Sequence, residues 1–158
     1  MSEETTFLTP AAHERMQEEL EQLKTDGRRE IEERIAEARS HGDLRENADY
    51  DAAKNDQGMM EARIRKLEHL LHTAEVREVA DTGKVEVGSV VTVLDGDGDE
   101  MEYFLAPQEN KVPGLYLASP DSPLGKSLLG ASVGDSVDYE APGGTFTVEI
   151  RSIRPFEG

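Results

Sequence analysis

The sequence predicts an α+β chain: an N-terminal antiparallel coiled-coil hairpin of two helices, then a small antiparallel β-sheet domain with one helix. Three observations carry this. Apolar residues recur at steps of three and four through most of residues 16–74. The one polar break in that pattern, around residues 41–49, is so short that the second helix must run back along the first. Beyond Val79 the period changes to short β-rich runs punctuated by Gly, Pro and Asp. The expected boundaries are therefore 1–80 for the hairpin with its acidic tip at 41–49, 81–85 for a linker, and 86–158 for the sheet domain.

The first helix opens at Thr9-Pro10, a hydroxyl cap followed by a proline where the missing N–H is harmless. Its stripe is Met16, Leu20, Leu23, Gly27, Ile31, Ile35 and Ala38. The run of four-residue steps around Gly27 is a stutter, which relaxes a supercoil locally. Gly27 also weakens the helix by ~1 kcal/mol relative to Ala, so a bend or a close approach of the partner helix is expected there. The second stripe is an uninterrupted heptad seam of Ala53, Gln57, Met60, Ile64, Leu67, Leu71 and Ala74. Each helix has room for roughly 30 residues, or ~45 Å of rod.

In the second half the expected strands are Ser89–Leu94, 102–105, 115–118, 136–140 and 145–153. Between them one short helix is signalled. Ser122 caps it, Pro123 takes its first position, Leu124, Leu128 and Leu129 face inward, and Gly130 stops it.

Composition excludes several functions. Cys is absent, which removes disulfides, thiolate zinc sites and a thiol nucleophile. The net charge of −17 opposes general binding to duplex DNA or an anionic membrane and favours a protein partner with a basic surface. No apolar run approaches the ~18 residues of a membrane helix, and the N-terminus lacks a secretory leader's pattern. A cytoplasmic protein is expected. His69 and His72 find no third metal ligand nearby in sequence. The Asp95-Gly-Asp-Gly-Asp run resembles a calcium loop, but its sixth position is Glu100 and its twelfth Ala106, so it reads as a hairpin turn. Phosphate-loop, dinucleotide and serine-triad motifs are missing.

The tip, from Gly42 to Tyr50, is the richest segment. Gly42 suits the left-handed end of helix one. Asp43 and Glu46 have the spacing of a capping box, and acids at a helix start are favoured by the dipole. A second reading stands beside it. Carboxylates are the ligands Mg²⁺ prefers, and two of them on a protruding probe would complete a metal site shared with a partner. Asn47 and Asp49 follow closely. The cations Arg28, Arg29, Arg34, Arg39, Arg45 and Lys54 suit i,i+4 pairing, as Glu30 with Arg34. Arg39 and Lys54 flank the turn and together could meet a phosphate backbone.

The stretch from Arg39 through Gly42-Asp43-Leu44-Arg45-Glu46-Asn47-Ala48-Asp49-Tyr50 to Ala52-Ala53-Lys54 resembles the signature of bacterial Gre-type transcript cleavage factors. Leu8-Thr9-Pro10, Glu61-Ala62-Arg63-Ile64, the segment 119–130 and Val133-Gly134-Asp135 are similar to that family in the same order, so the likeness covers nearly the whole chain. The resemblance implies an FKBP-like second domain that binds bacterial RNA polymerase, and a coiled coil that enters its secondary channel. There Asp43 and Glu46 would be catalytic acids that hold Mg²⁺ jointly with the polymerase, which then hydrolyses its own backtracked RNA. Arg39 and Lys54 would meet the nascent RNA 3′ end, with Gly42, Asn47, Asp49 and Tyr50 supporting the tip. The chain itself would be no enzyme, would hold no metal tightly when free, and would be a monomer. Asp49 departs from the family, which usually carries Glu there. Two other roles are open: a channel-binding paralogue that modulates polymerase without cleavage, and a coiled-coil scaffold whose tip acids only cap.

Overall fold

A computed structural model describes residues 5–41 and 47–157. The elements in order are β1 Phe7–Leu8, α1 Pro10–Gln22, a π-helical turn Leu23–Gly27, α2 Arg28–Ser40, α3 Ala48–Thr73 and β2 Glu75–Val76. They continue as β3 Ser89–Leu94, β4 Glu100–Leu105, a 3₁₀ turn Gln108–Asn110, β5 Tyr116–Ala118, α4 Pro123–Leu128, β6 Ser136–Ala141 and β7 Gly144–Pro155. The chain forms two compact units: one holds His13–Ala74, the other Thr5–Ala12 with the chain from Glu75 onward. The sequence boundary had grouped residues 5–12 and 75–80 with the hairpin.

Helix one starts as its residues dictate, with Ala12 N donating to Thr9 Oγ1 at 3.1 Å. Its stutter is a π turn: Arg28 N donates back to Leu23 O, five residues away. The Thr25 hydroxyl donates to Glu21 O at 2.8 Å, the i−4 back-bond that loosens helical geometry. At Gly27 the partner helix does come close, since a Cβ there would lie 3.1 Å from Met60 Sδ. Ile31, Ile35 and Ala53 are buried together, with Tyr50 and Met60 packed against them. The α3 seam holds at Ala53, Ile64 and Leu67, but its next buried residue is Leu70, with Leu71 only half-buried. The last turn steps by three where a strict heptad steps by four, as an unsupercoiled helix does.

Antiparallel pairing is visible in the ion pairs across the helices. Arg28 meets Glu61 through two bonds of 3.0 Å, and Arg63 meets Glu19 at 3.0 and 2.8 Å. Arg34 reaches Asp56 at 3.1 Å and Lys24 reaches Glu68 at 3.9 Å. The expectation of Arg34 paired with Glu30 along its own helix is corrected: the partner carboxylate lies on the facing helix. Arg29, by contrast, pairs locally with Asp26 at 3.1 Å.

The second unit is a five-stranded sheet of order β5-β4-β3-β7-β6. Its pairs are antiparallel except β4 with β5, which run parallel, as the 105–116 connection crosses over before β5 begins. Central β3 is nearly all apolar because it is covered on both faces. On one face, Val91, Val93, Leu105, Val148 and Ile150 pack with Leu128 of α4. On the other, Val90, Phe104 and Ala106 pack with Phe156, the two Phe rings stacked at 4.3 Å. α4 keeps its Ser122 cap, which accepts from Gly125 N at 3.0 Å, and Gly130 ends it at φ +81°. Leu129, expected inside, is exposed, because the backbone leaves helical geometry at that residue. The Asp95 turn is a hairpin turn, with Asp95 Oδ1 accepting from Asp97 N and Asp99 N, both at 2.9 Å.

Two elements were not foreseen. β1 pairs in parallel with β2, and the fully buried Asn110 accepts from Thr9 N at 2.9 Å and donates to Phe7 O at 2.8 Å. This side chain ties the N-terminal segment into the second unit. Among the described residues, no helix is long and apolar enough to cross a membrane.

Candidate functional site at the hairpin tip

The tip is built on the last turn of α2 and the first turn of α3. At the end of α2, Ala38 O accepts from His41 N at 3.3 Å. The same carbonyl accepts from Asn47 Nδ2. Asn47 also caps α3: its backbone is extended at φ −87°, ψ 92°, and its Oδ1 accepts from Tyr50 N at 3.0 Å. One side-chain amide thus adds a second donor to a last-turn carbonyl of one helix and satisfies an orphan donor of the next. The N-cap of α3 is Asn47, four residues after Asp43; the expected capping box of Asp43 with Glu46 lies outside the described residues.

Asp49 and Asp51 occupy the first turn of α3 and are solvent-exposed. Their charge there is favoured by the helix dipole. Arg39 lies with its guanidinium 5.6 Å from the centre of the Tyr50 ring, a cation–π contact linking the two helix ends. Lys54 Nζ donates to Gln57 Oε1 at 3.0 Å on its own helix. Between the helix ends lies an open depression of about 220 Å³, lined by Arg34, Glu37, Ala38, His41, Asp49 and Ala52. Of the residues singled out from sequence, Arg39, Asn47, Asp49, Tyr50 and Lys54 are so placed. Gly42, Asp43 and Glu46 lie outside the described residues.

Among the described residues, no group of three or more His, Asp or Glu stands close enough to hold a metal ion. Further down the hairpin, the Arg28 hydrogen bond holds the Glu61 carboxyl below its usual range, and the same bond raises the Arg28 guanidinium. The bridging role of Asn47 was the residue function that sequence reading missed. Its signal was an Asn directly before a helical run with Asp in the first turn.

Residues 6–76 match the family model described as transcription elongation factor, N-terminal, and residues 80–155 match transcription elongation factor, GreA/GreB, C-term. The chain belongs to the GreA/GreB family of transcription elongation factors. It is 45% identical to transcription elongation factor GreA of Streptomyces coelicolor over 99% of this chain and 98% of that one. It is 43% identical to the GreA of Clostridium perfringens strain SM101, over 98% and 99% of the two chains. Among solved structures, GreA factor homolog 1 of Thermus thermophilus is similar over 96% of this chain and 99% of its own, at 28% identity and a TM-score of 0.45. As a GreA/GreB member, the chain carries its family's two parts in the order in which the helical hairpin and the sheet unit follow one another.

Proposed function

We propose that this GreA/GreB-family chain binds bacterial RNA polymerase and inserts its acidic hairpin tip into the secondary channel. There it stimulates hydrolysis of backtracked nascent RNA and so rescues arrested complexes. In this reading the chain is not an enzyme on its own; it lends groups to the active centre of another. The observation that supports it most is the cap. Asn47 takes the N-cap position of α3 and accepts from Tyr50 N, so that position does not fall to Asp43 or Glu46. The donor chemistry also fits, since Mg²⁺ takes carboxylate oxygens and draws only one or two from a protein partner. Asp43 and Glu46 would hold the ion jointly with ligands from the polymerase, and the ion when bound supplies Lewis-acid activation of water. Asn47, bonded to both helix ends, would hold the acidic segment in place. Arg39 and Lys54 would contact the RNA 3′ end, with Arg39 pre-oriented on Tyr50.

The test is RNA shortening in stalled, backtracked elongation complexes. Wild type is expected to release short 3′ fragments in a Mg²⁺-dependent way, while Asp43→Asn with Glu46→Gln binds polymerase and releases none. Binding without wild-type cleavage would refute the cleavage role and leave a modulator of the same channel. Cleavage by the double variant at the wild-type rate would refute the site assignment.

A further inference from the structure

The sheet of the second unit is larger than the helix that covers it. A helix of six residues rises only about 9 Å, whereas β7 alone runs for twelve residues. The α4 side of the sheet is closed over Val91, Leu105 and Ile150 but left open toward the β3–β4 and β6–β7 turns. The open part is a groove of about 510 Å³. Its floor and walls are Val93, Met101, Tyr103, Tyr139, Phe146 and Val148. Tyr139 and Phe146 stack with ring centres 5.8 Å apart, and Phe146 is 44% exposed. Asp95 and Asp97 stand at the mouth, and the lining holds no Lys or Arg. Desolvation raises the Tyr103 hydroxyl, which donates to Met101 Sδ at 3.6 Å.

These features select a ligand class. Aromatic faces backed by aliphatic groups take an apolar stem, while two carboxylates at the rim take a cation and repel phosphate. A planar guanidinium stacks on a ring and reaches a carboxylate at once, which an ammonium does less well. We propose that this groove is a docking site for an arginine-presenting segment of a protein partner. The arginine stem lies along Tyr139 and Phe146, and its guanidinium faces Asp97. Asp95 is less available, because two backbone N–H groups already occupy its Oδ1. The site is separate from the hairpin tip and does not depend on what the tip does.

The experiment uses the full chain and short end-blocked peptides with one central arginine between leucines, without polymerase, followed by amide chemical shifts. The arginine peptide should saturate and move the amides of Asp97, Tyr103, Tyr139 and Thr147. A citrulline peptide, isosteric but uncharged, should bind about tenfold more weakly, the size of a lost charge-assisted contact on an aromatic face. Phe146→Ala and Asp97→Asn change exposed side chains and should each weaken binding about three- to tenfold, with an unchanged circular dichroism spectrum. Equal binding of arginine, citrulline and glutamate peptides would overturn the proposal. So would shifts confined to another face, or the absence of saturation. None of these outcomes bears on RNA cleavage by the tip.

Discussion

Replacing Asn47 by Ala tests the tip architecture most directly, because that one amide makes two bonds to two helices. Loss of an Asn cap costs ~1 kcal/mol. Loss of the bond from Nδ2 to Ala38 O adds ~1 kcal/mol for a hydrogen bond at a partly buried site. The sum, ~2 kcal/mol, corresponds to a roughly 30-fold loss of amide protection. The readout should be local, since a chain of two units need not unfold in one step. Hydrogen exchange at Tyr50, whose N–H is the capped donor, supplies it. Asn47→Asp separates the two bonds. It keeps the acceptor and adds favourable charge at a helix start, but loses the donor to Ala38 O. Its expected effect is about fivefold, between wild type and Ala. Asp43→Ala should change Tyr50 protection by no more than ~0.5 kcal/mol. If Asp43→Ala weakens protection as much as Asn47→Ala, the cap belongs to the acidic pair and the reasoning fails.

Three further outcomes follow from the structure. Glu61 has its pKa lowered below 4.5 by the Arg28 hydrogen bond, so its contribution is complete above that value and is lost as pH falls through the folded-state value. Glu61→Gln should therefore narrow the gap in melting temperature between neutral pH and about pH 3, and an unchanged gap would show that the pair is not what titrates. Asn110→Ala leaves Thr9 N and Phe7 O without their partner at a buried site, a loss of ~3 kcal/mol visible in urea denaturation and as faster proteolysis near Phe7. Gly125→Ala would drive a Cβ to within 1.9 Å of Ser119 O, a backbone atom that cannot swing away. That variant should lose upwards of ~3 kcal/mol or fail to accumulate, and near-neutral stability would contradict the packing of α4.

What the sequence disclosed depended on period and on local chemistry. The hairpin was legible because its two stripes repeat over many turns, and even the stutter at Gly27 surfaced as a π turn. α4 was legible because Ser122, Pro123 and Gly130 each act within their own few residues. β1 and β2 were not, since two residues apiece carry no period and pair across more than sixty positions of chain. The parallel β4–β5 pair was hidden for a similar reason: strand texture does not encode direction. At the tip, residue types pointed to carboxylate chemistry, but which residue caps was a question of where α3 begins. Spacing fitted Asp43 with Glu46, whereas the backbone turns extended at Asn47.

The cross-helix ion pairs and the Asn47 bridge have a common consequence. Arg28–Glu61, Arg34–Asp56 and Arg63–Glu19 are exposed enough that water screens much of their attraction. Their effect lies more in register than in stability. Two of them are bidentate, a geometry that admits one relative position of the helices. Sliding α3 along its partner by one turn, about 5.4 Å, would break all three pairs and carry Asn47 away from Ala38 O. An apolar seam of Ile, Leu and Ala tolerates such a slip far better, because one small aliphatic side chain replaces another. The charged pairs therefore do for the hairpin what the seam cannot: they fix which residues of α2 and α3 meet at the turn. For the function proposed above, that definition matters more than a deep minimum. Breaking Arg34–Asp56 should for this reason leave the melting temperature nearly unchanged while lowering protection at Tyr50.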